Sequence, residues 1–174
     1  EGHRLAIRQL LDELKWVNAR KGEVERMIFE RFAEVPYAGR LVSLPRLGRI
    51  TAATLLGEFG DLLSSPHPRQ LIKMAGLDLV EHSSGERKGR RYISRRGRRY
   101  ARQLLYMAAL RLGGRGGALE VPRTRMVEGP KKVKPVKAAV ANMCRLLRIL
   151  HAIARDGVGF EAGRYGDPST KEAA

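Results

Sequence analysis

Two adjacent hydroxyls, Ser83 and Ser84, stand before Gly85 in the stretch EHSSGERKGRRYISRRGRRYAR, residues 81–102. From Glu86 to Arg102 there are nine Arg or Lys against one acid, so 17 residues carry +8 of a net charge of +16. Charge this concentrated is a patch rather than a diffuse bias, and it suits a polyanion whose counterions are released on binding. A serine is a weak nucleophile at its free pKa, but arginines beside it can stabilise charge developing on a phosphoryl group. The combination points to chemistry on nucleic acid. Serine pairs in loops more often cap helices or bind solvent. Spacing alone therefore leaves Ser83 and Ser84 open, and it does not make the adjacent His82 a general base.

Other chemistries are poorly supported. The one cysteine, Cys144, lies in an apolar helical pattern, which excludes a disulfide within the chain and favours packing over nucleophilic catalysis. A single cysteine fits a reducing cytoplasm. His3, His67 and His151 lack metal-ligand spacing, and His151 reads as a core or boundary residue. Asp61, Asp78 and Glu81 are only loosely grouped, so no metal site and no cofactor are expected in these 174 residues. Apolar runs are too short and too often broken by charge to span a membrane. A start at Glu1, with neither an initiator Met nor a signal-like segment, reads as a fragment or a processed product.

The elements around the basic segment read as mostly all-α. Residues 1–35 form a long amphipathic helix in which Ile7, Leu10, Leu11, Leu14, Val17, Val24, Ile28 and Phe32 make one apolar stripe. Packing on its own domain and pairing as a coiled-coil arm are both open, because Lys21 interrupts the seam. Residues 36–160 form the second unit, and residues 161–174 a flexible tail. Within that unit Ser65 is expected to cap a helix begun by Pro66 and ended at Gly76. Residues 77–94 read as loop with a small extended pair. A helix over 97–112 is expected to bury Tyr100, Leu104, Leu105, Met107, Ala108 and Leu112. Gly113 to Gly117 read as a flexible break, and Pro122, Gly129 and Pro130 as keeping the next stretch irregular. A last helix runs from Pro135 to about Arg155, with Val136 in its core stripe and Gly157 ending it.

The segment LPRLGRITAA, residues 44–53, resembles a helix-hairpin-helix DNA-binding turn. A glycine-containing turn between two short helices exposes backbone amides at a helix start, where a phosphate can sit. Such contacts hold the backbone and carry little base information. The expected DNA contacts are Arg46, Gly48, Arg49 and Thr51 in the turn, and Lys88, Arg90, Arg91, Arg95, Arg96, Arg98, Arg99 and Arg102 in the basic segment.

Three ordered stretches together, LVSLPRLGRITAATLLGEFGD, KMAGLDLVEHSSGERKGRRYISRRGRRYARQLLYMAAL and KKVKPVKAAVANMCRLLRILHAIARDGVGF, resemble the C-terminal domain of a bacterial insertion-sequence transposase family. That family pairs a resolvase-like domain bearing four acidic residues with a catalytic-serine transposase domain. The resemblance covers roughly residues 34–160. It implies DNA transposition through a covalent phosphoserine, with the serine before Gly85, Ser84, as nucleophile. It also implies a homo-oligomer acting on double-stranded DNA, Mg2+ held by the acidic domain, and, as in relatives guided by a structured RNA, an RNA partner. These 174 residues lack the acidic domain, so the chain alone is expected to be inactive, whether cut from a longer protein or left by a decayed element. A noncatalytic helix-hairpin-helix module of a repair or recombination protein is the alternative. An RNA-binding accessory protein is weaker, since aromatics are only 6% of the chain.

Overall fold

The computed structural model describes residues 2–81, 91–130 and 132–165, and the fold is mostly α, as expected. Eight α-helices, one 3-10 turn and a two-stranded antiparallel sheet are present among the described residues. Helix α1, Gly2–Ala33, extends about 48 Å at 1.5 Å per residue. Its stripe does not pack on the chain's own domain over most of its length. Leu10, Leu14 and Trp16 are 64%, 56% and 69% exposed, and only Phe32 is buried. Ion pairs one turn apart, such as Arg20–Glu23 at 2.8 Å and Lys21–Glu25 at 3.7 Å, support the helix there.

Two helices organise the core, α5 (Arg99–Leu112) and α7 (Pro135–Asp156). Alanines at 101, 108 and 109 let α5 approach closely, and its Leu105 and Leu112 pack in the same core as Met143, Leu146 and Leu150 of α7. Pro135 occupies the first turn of α7, and Gly157, at φ 65°, ends it in the left-handed conformation that glycine tolerates best. Around this pair lie α2 (Ala38–Leu41), α3 (Arg49–Phe59), a 3-10 turn (Leu62–Ser64), α4 (Pro68–Met74) and α6 (Glu120–Glu128). His151 is buried, with Nε2 2.8 Å from the Ser65 carbonyl oxygen.

Several sequence expectations are corrected. Helix α4 starts at Pro68, two residues later than expected, because the His67 ring nitrogen accepts from the Arg69 amide at 3.1 Å and does the capping. Tyr100, Met107 and Val136 are exposed, since the buried stripes of their helices fall on neighbouring positions. The segment after Leu112 is neither a flexible break nor irregular. The chain turns back so tightly that the Leu119 amide donates to the Leu112 carbonyl at 2.9 Å, and a Cβ on Gly117 would collide with that carbonyl. Helix α6 follows, with Pro122 in its first turn, where a missing N–H costs nothing. Residues 158–165 dock as well, the Phe160 amide donating to the Ser43 hydroxyl at 2.6 Å. Helix α8 (Ala162–Tyr165) stacks Tyr165 on Phe160 with centroids 6.0 Å apart, and Arg164 reaches Asp156 at 3.3 Å.

The strands β1 (Leu79–Glu81) and β2 (Arg91–Ile93) pair with Leu79 opposite Ile93 and Glu81 opposite Arg91. The foot of this hairpin is clamped to the end of α4. Arg95 donates its amide to the Gly76 carbonyl at 2.9 Å, Arg98 to Met74 at 2.9 Å and Ser94 to Asp78 at 2.8 Å, while the Ser94 hydroxyl bonds the Asp78 carboxylate. The backbones touch at two glycines. A Cβ on Gly97 would lie 2.5 Å from the Gly76 nitrogen, and one on Gly76, at φ 66°, 2.9 Å from the Arg95 carbonyl carbon.

Replacing Gly97 by alanine forces these backbones apart and is expected to lower unfolding free energy by about 3 kcal/mol. Gly57→Ala, where a Cβ meets nothing within 4 Å, should instead be neutral or stabilising by up to about 1 kcal/mol in the same urea titrations. The buried Tyr37 donates to Asp61 at 2.7 Å and accepts from the Leu62 amide at 2.9 Å. Burial, followed by the Asp61 carboxylate, raises its phenol from 10.0 to about 12. A folded value above the unfolded one stabilises fully below pH 10, and that share is lost as pH rises towards 12. Tyr37→Phe should cost about 1–3 kcal/mol at pH 7 and remove that loss of stability above pH 10.

Candidate nucleic-acid interface

Cationic residues gather at the two ends of α5. At its start, Arg95, Arg96, Arg98 and Arg99 are exposed, and among the described residues their guanidinium groups make no ion pair. Helix α5 begins after Arg98 with neither a side-chain cap nor an acid in its first turn, so its positive end is left uncompensated. Arg95 has φ 54°, an uncommon conformation for a side-chain-bearing residue, and its amide bond to Gly76 holds it there.

Two of the expected DNA contacts in this segment are used inside the chain. Arg102 is half-buried and donates from one guanidinium nitrogen to the Ala75 carbonyl at 3.0 Å and the Arg95 carbonyl at 3.4 Å. It reinforces the clamp and does not extend the charged surface. Arg91 pairs with Glu81 at 2.8 Å across the hairpin, and that bond raises the Arg91 pKa. His82, Ser83, Ser84, Lys88 and Arg90 lie outside the described residues.

At the other end of α5 is the turn between α2 and α3. Gly48 caps α3 with no side chain, and the first amide bonded within the helix is Ala52, to the Gly48 carbonyl at 3.0 Å. The preceding amides have no intrahelical acceptor, as at any helix start. A Cβ on Gly48 would meet nothing within 4 Å, and its φ of −72° suits any residue, so neither packing nor backbone conformation demands glycine there. Arg46 is exposed at φ 68°, and its guanidinium lies 3.7 Å from where a Cβ on Gly114 would stand and 3.9 Å from one on Gly116. Arg49 stacks over the Phe29 ring at 4.7 Å, tying α3 to α1. Thr51 is buried, and its hydroxyl accepts from Arg111 at 3.4 Å, so it faces the core rather than the surface.

Sequence reasoning missed the glycine-rich loop as a partner of the turn. Gly114 and Gly116 lie against Arg46, Arg115 is exposed between them, and Glu120 accepts from the Gly116 amide at 2.5 Å. Four glycines around one arginine were a usable signal, obscured because the same residues suit a flexible linker. The two clusters are joined by an exposed stripe on α5, Arg99–Gln103–Met107–Arg111, one residue per helical turn. Fourteen residues of helix put them about 20 Å apart.

Burial pushes the Cys144 thiol up, outweighing the opposing charge of Arg148, which suits a packed thiol. No group of three or more His, Cys, Asp or Glu is placed to hold a metal ion among the described residues. No described helix is long and apolar enough to cross a membrane.

Residues 38–115 match the transposase IS116/IS110/IS902 family. The matched span runs from the start of α2 through Arg115 of the glycine-rich loop, and it includes both arginine clusters and the clamp. The chain is also 30% identical over 148 residues to a Pseudomonas aeruginosa protein described as a probable family 20 transposase. That alignment covers 84% of this chain and 44% of the relative, so the chain spans less than half of the relative's length. Residues 38–115, which hold both arginine clusters and the clamp, are thus similar to the transposase IS116/IS110/IS902 family.

Proposed function

We propose that this chain is the DNA-binding, serine-bearing part of a transposase that recombines double-stranded DNA through a covalent phosphoserine intermediate. The observation that carries the proposal is the pair of exposed arginine clusters at the ends of α5, one of them at the foot of the hairpin that leads into the serine segment. A separation of about 20 Å corresponds to about six base pairs at 3.4 Å each, so one duplex laid along α5 can meet both. The turn before α3 acts as a helix-hairpin-helix unit. Its uncapped amides and Arg46 take a backbone phosphate, and Gly48, required by nothing inside the chain, leaves room for that backbone.

In the proposed step the Ser84 oxygen attacks a backbone phosphorus. A serine–phosphate bond forms, a bridging P–O bond of the DNA breaks, and the serine proton ends on the departing sugar hydroxyl. One phosphodiester replaces another, so a second strand's hydroxyl can reverse the step without an external energy source. Arginines at the start of α5 stabilise the charge that develops on the phosphoryl oxygens. Among the described residues no group of three or more His, Cys, Asp or Glu is placed for a divalent metal. Mg2+ is assigned to acidic residues of a resolvase-like domain outside these 174 residues, and the assembly to a homo-oligomer that joins the two sites. A structured guide RNA is a further expected partner.

The test restores the upstream domain and incubates the protein with Mg2+ and a duplex nicked to trap intermediates. Wild type and Ser83→Ala should give a covalent protein–DNA band on a denaturing gel, and Ser84→Ala should give none. If the band is absent from all three while an active transposase forms it and the duplex still binds tightly, the noncatalytic helix-hairpin-helix module becomes the better reading.

A further inference from the structure

Beside the first arginine cluster, a groove of about 330 Å³ opens between β2, α5 and α7. Its apolar part is formed by Ile93 at the end of β2, by Val140 and Met143 of α7 and by Tyr106, and Arg102, whose guanidinium is bonded to the Ala75 and Arg95 carbonyls, also lines it. Arg99 and Gln103, both exposed on α5, stand at its rim. The size lies at the low end of the about 300–1,000 Å³ found for ligand clefts, and an apolar lining with a few polar groups is their usual composition. Arg95 also borders the groove, held in its left-handed conformation by the clamp.

A phosphate suits the guanidinium rim but not the apolar part. A base still paired in a duplex shows its polar edge in the grooves and keeps its flat apolar faces in the stack. Only a base rotated out of the helix brings a planar apolar face to Ile93, Val140 and Met143 while its own phosphate remains beside Arg99. Stacking on Tyr106 and hydrogen bonding to the Gln103 amide would then hold it, as in other proteins that take bases out of the stack. We propose that this groove receives one unstacked DNA nucleobase next to the phosphate bound at the start of α5. The assignment rests on the DNA-binding reading above and adds to it a pocket for a base.

The test measures binding of the 174-residue chain to three duplexes of one sequence: fully paired, carrying one bulged nucleotide, and carrying one bulged abasic residue. The abasic bulge reproduces the backbone defect without the base. The nucleotide bulge is expected to bind about tenfold more tightly than the abasic bulge, and the abasic bulge about as tightly as the paired duplex. Val140→Phe, which fills the apolar part, should bring the ratio of nucleotide to abasic binding to about one while paired-duplex binding is retained. Gln103→Glu, at an exposed position where folding is not at stake, should lower the same ratio even though its charge weakens all three complexes. Equal binding of the two bulges, or a ratio unchanged in Gln103→Glu and in a folded Val140→Phe, overturns the assignment. Tighter binding of the same bulge in an RNA duplex also overturns it, by giving the groove to RNA. Failure to bind even the paired duplex would instead count against the DNA-binding reading itself.

Discussion

The contact between the backbone at Gly97 and the end of α4 decides where the rest of the candidate site stands. Peptide groups meet there without side chains between them. The amides of Arg95 and Arg98 satisfy the carbonyls of Gly76 and Met74, and Arg102 adds a charged donor to the Ala75 carbonyl. Helix C-terminal carbonyls are left without intrahelical partners, and this arrangement uses them to fasten a second segment. The fastening fixes the foot of the β1–β2 hairpin, the conformation of Arg95 and the entry of α5 together. A cluster of like charges would otherwise favour an extended, mobile chain.

The fold divides its positive charge between two uses. Arg102, Arg111 and Arg91 bond within the chain, to carbonyls, a buried hydroxyl and a carboxylate. Arg46, Arg95, Arg96, Arg98, Arg99 and Arg115 remain exposed at the two ends of α5. A guanidinium returned to water at little cost is the kind that releases counterions when it meets a phosphate. In the proposed interface the exposed set would govern affinity, while the engaged set holds the geometry. The left-handed conformations of Arg46 and Arg95 fall one in each cluster. Backbone strain of this type is sustained where surrounding bonds over-determine it, and it occurs often at binding sites.

Much of the architecture was legible in the sequence because helix punctuation is local. Pro135 and Gly157 bracket α7, and the hydrophobic spacing of α5 and α7 gives most of their buried stripes. The small sheet was also expected, at Leu77–Val80 and Arg91–Ile93, and forms at Leu79–Glu81 and Arg91–Ile93. Helix α6 was not legible, because glycines required by close backbone approach look the same in sequence as glycines that permit flexibility. The partition of arginines escaped for a related reason. Charge density identifies a patch, but which guanidinium turns inward depends on carbonyls brought near by tertiary contacts, as Ala75 is for Arg102. Thr51 was assigned to DNA from its place in the turn, whereas the packing of α3 on α5 gives its hydroxyl to Arg111.

The most direct test of the account is the salt dependence of duplex binding for the wild-type chain, an Arg95/Arg96/Arg98→Glu variant, an Arg46/Arg115→Glu variant and their combination. Each lost phosphate contact should reduce the slope of log K against log salt by about 0.9. The account predicts a reduction of about two to three from the first cluster and about one to two from the second. The two reductions should add in the combination, because the clusters stand about 20 Å apart at the two ends of one helix. A slope unchanged by either set of reversals, on a chain that remains folded, would contradict the claim that the two ends of α5 grip one duplex.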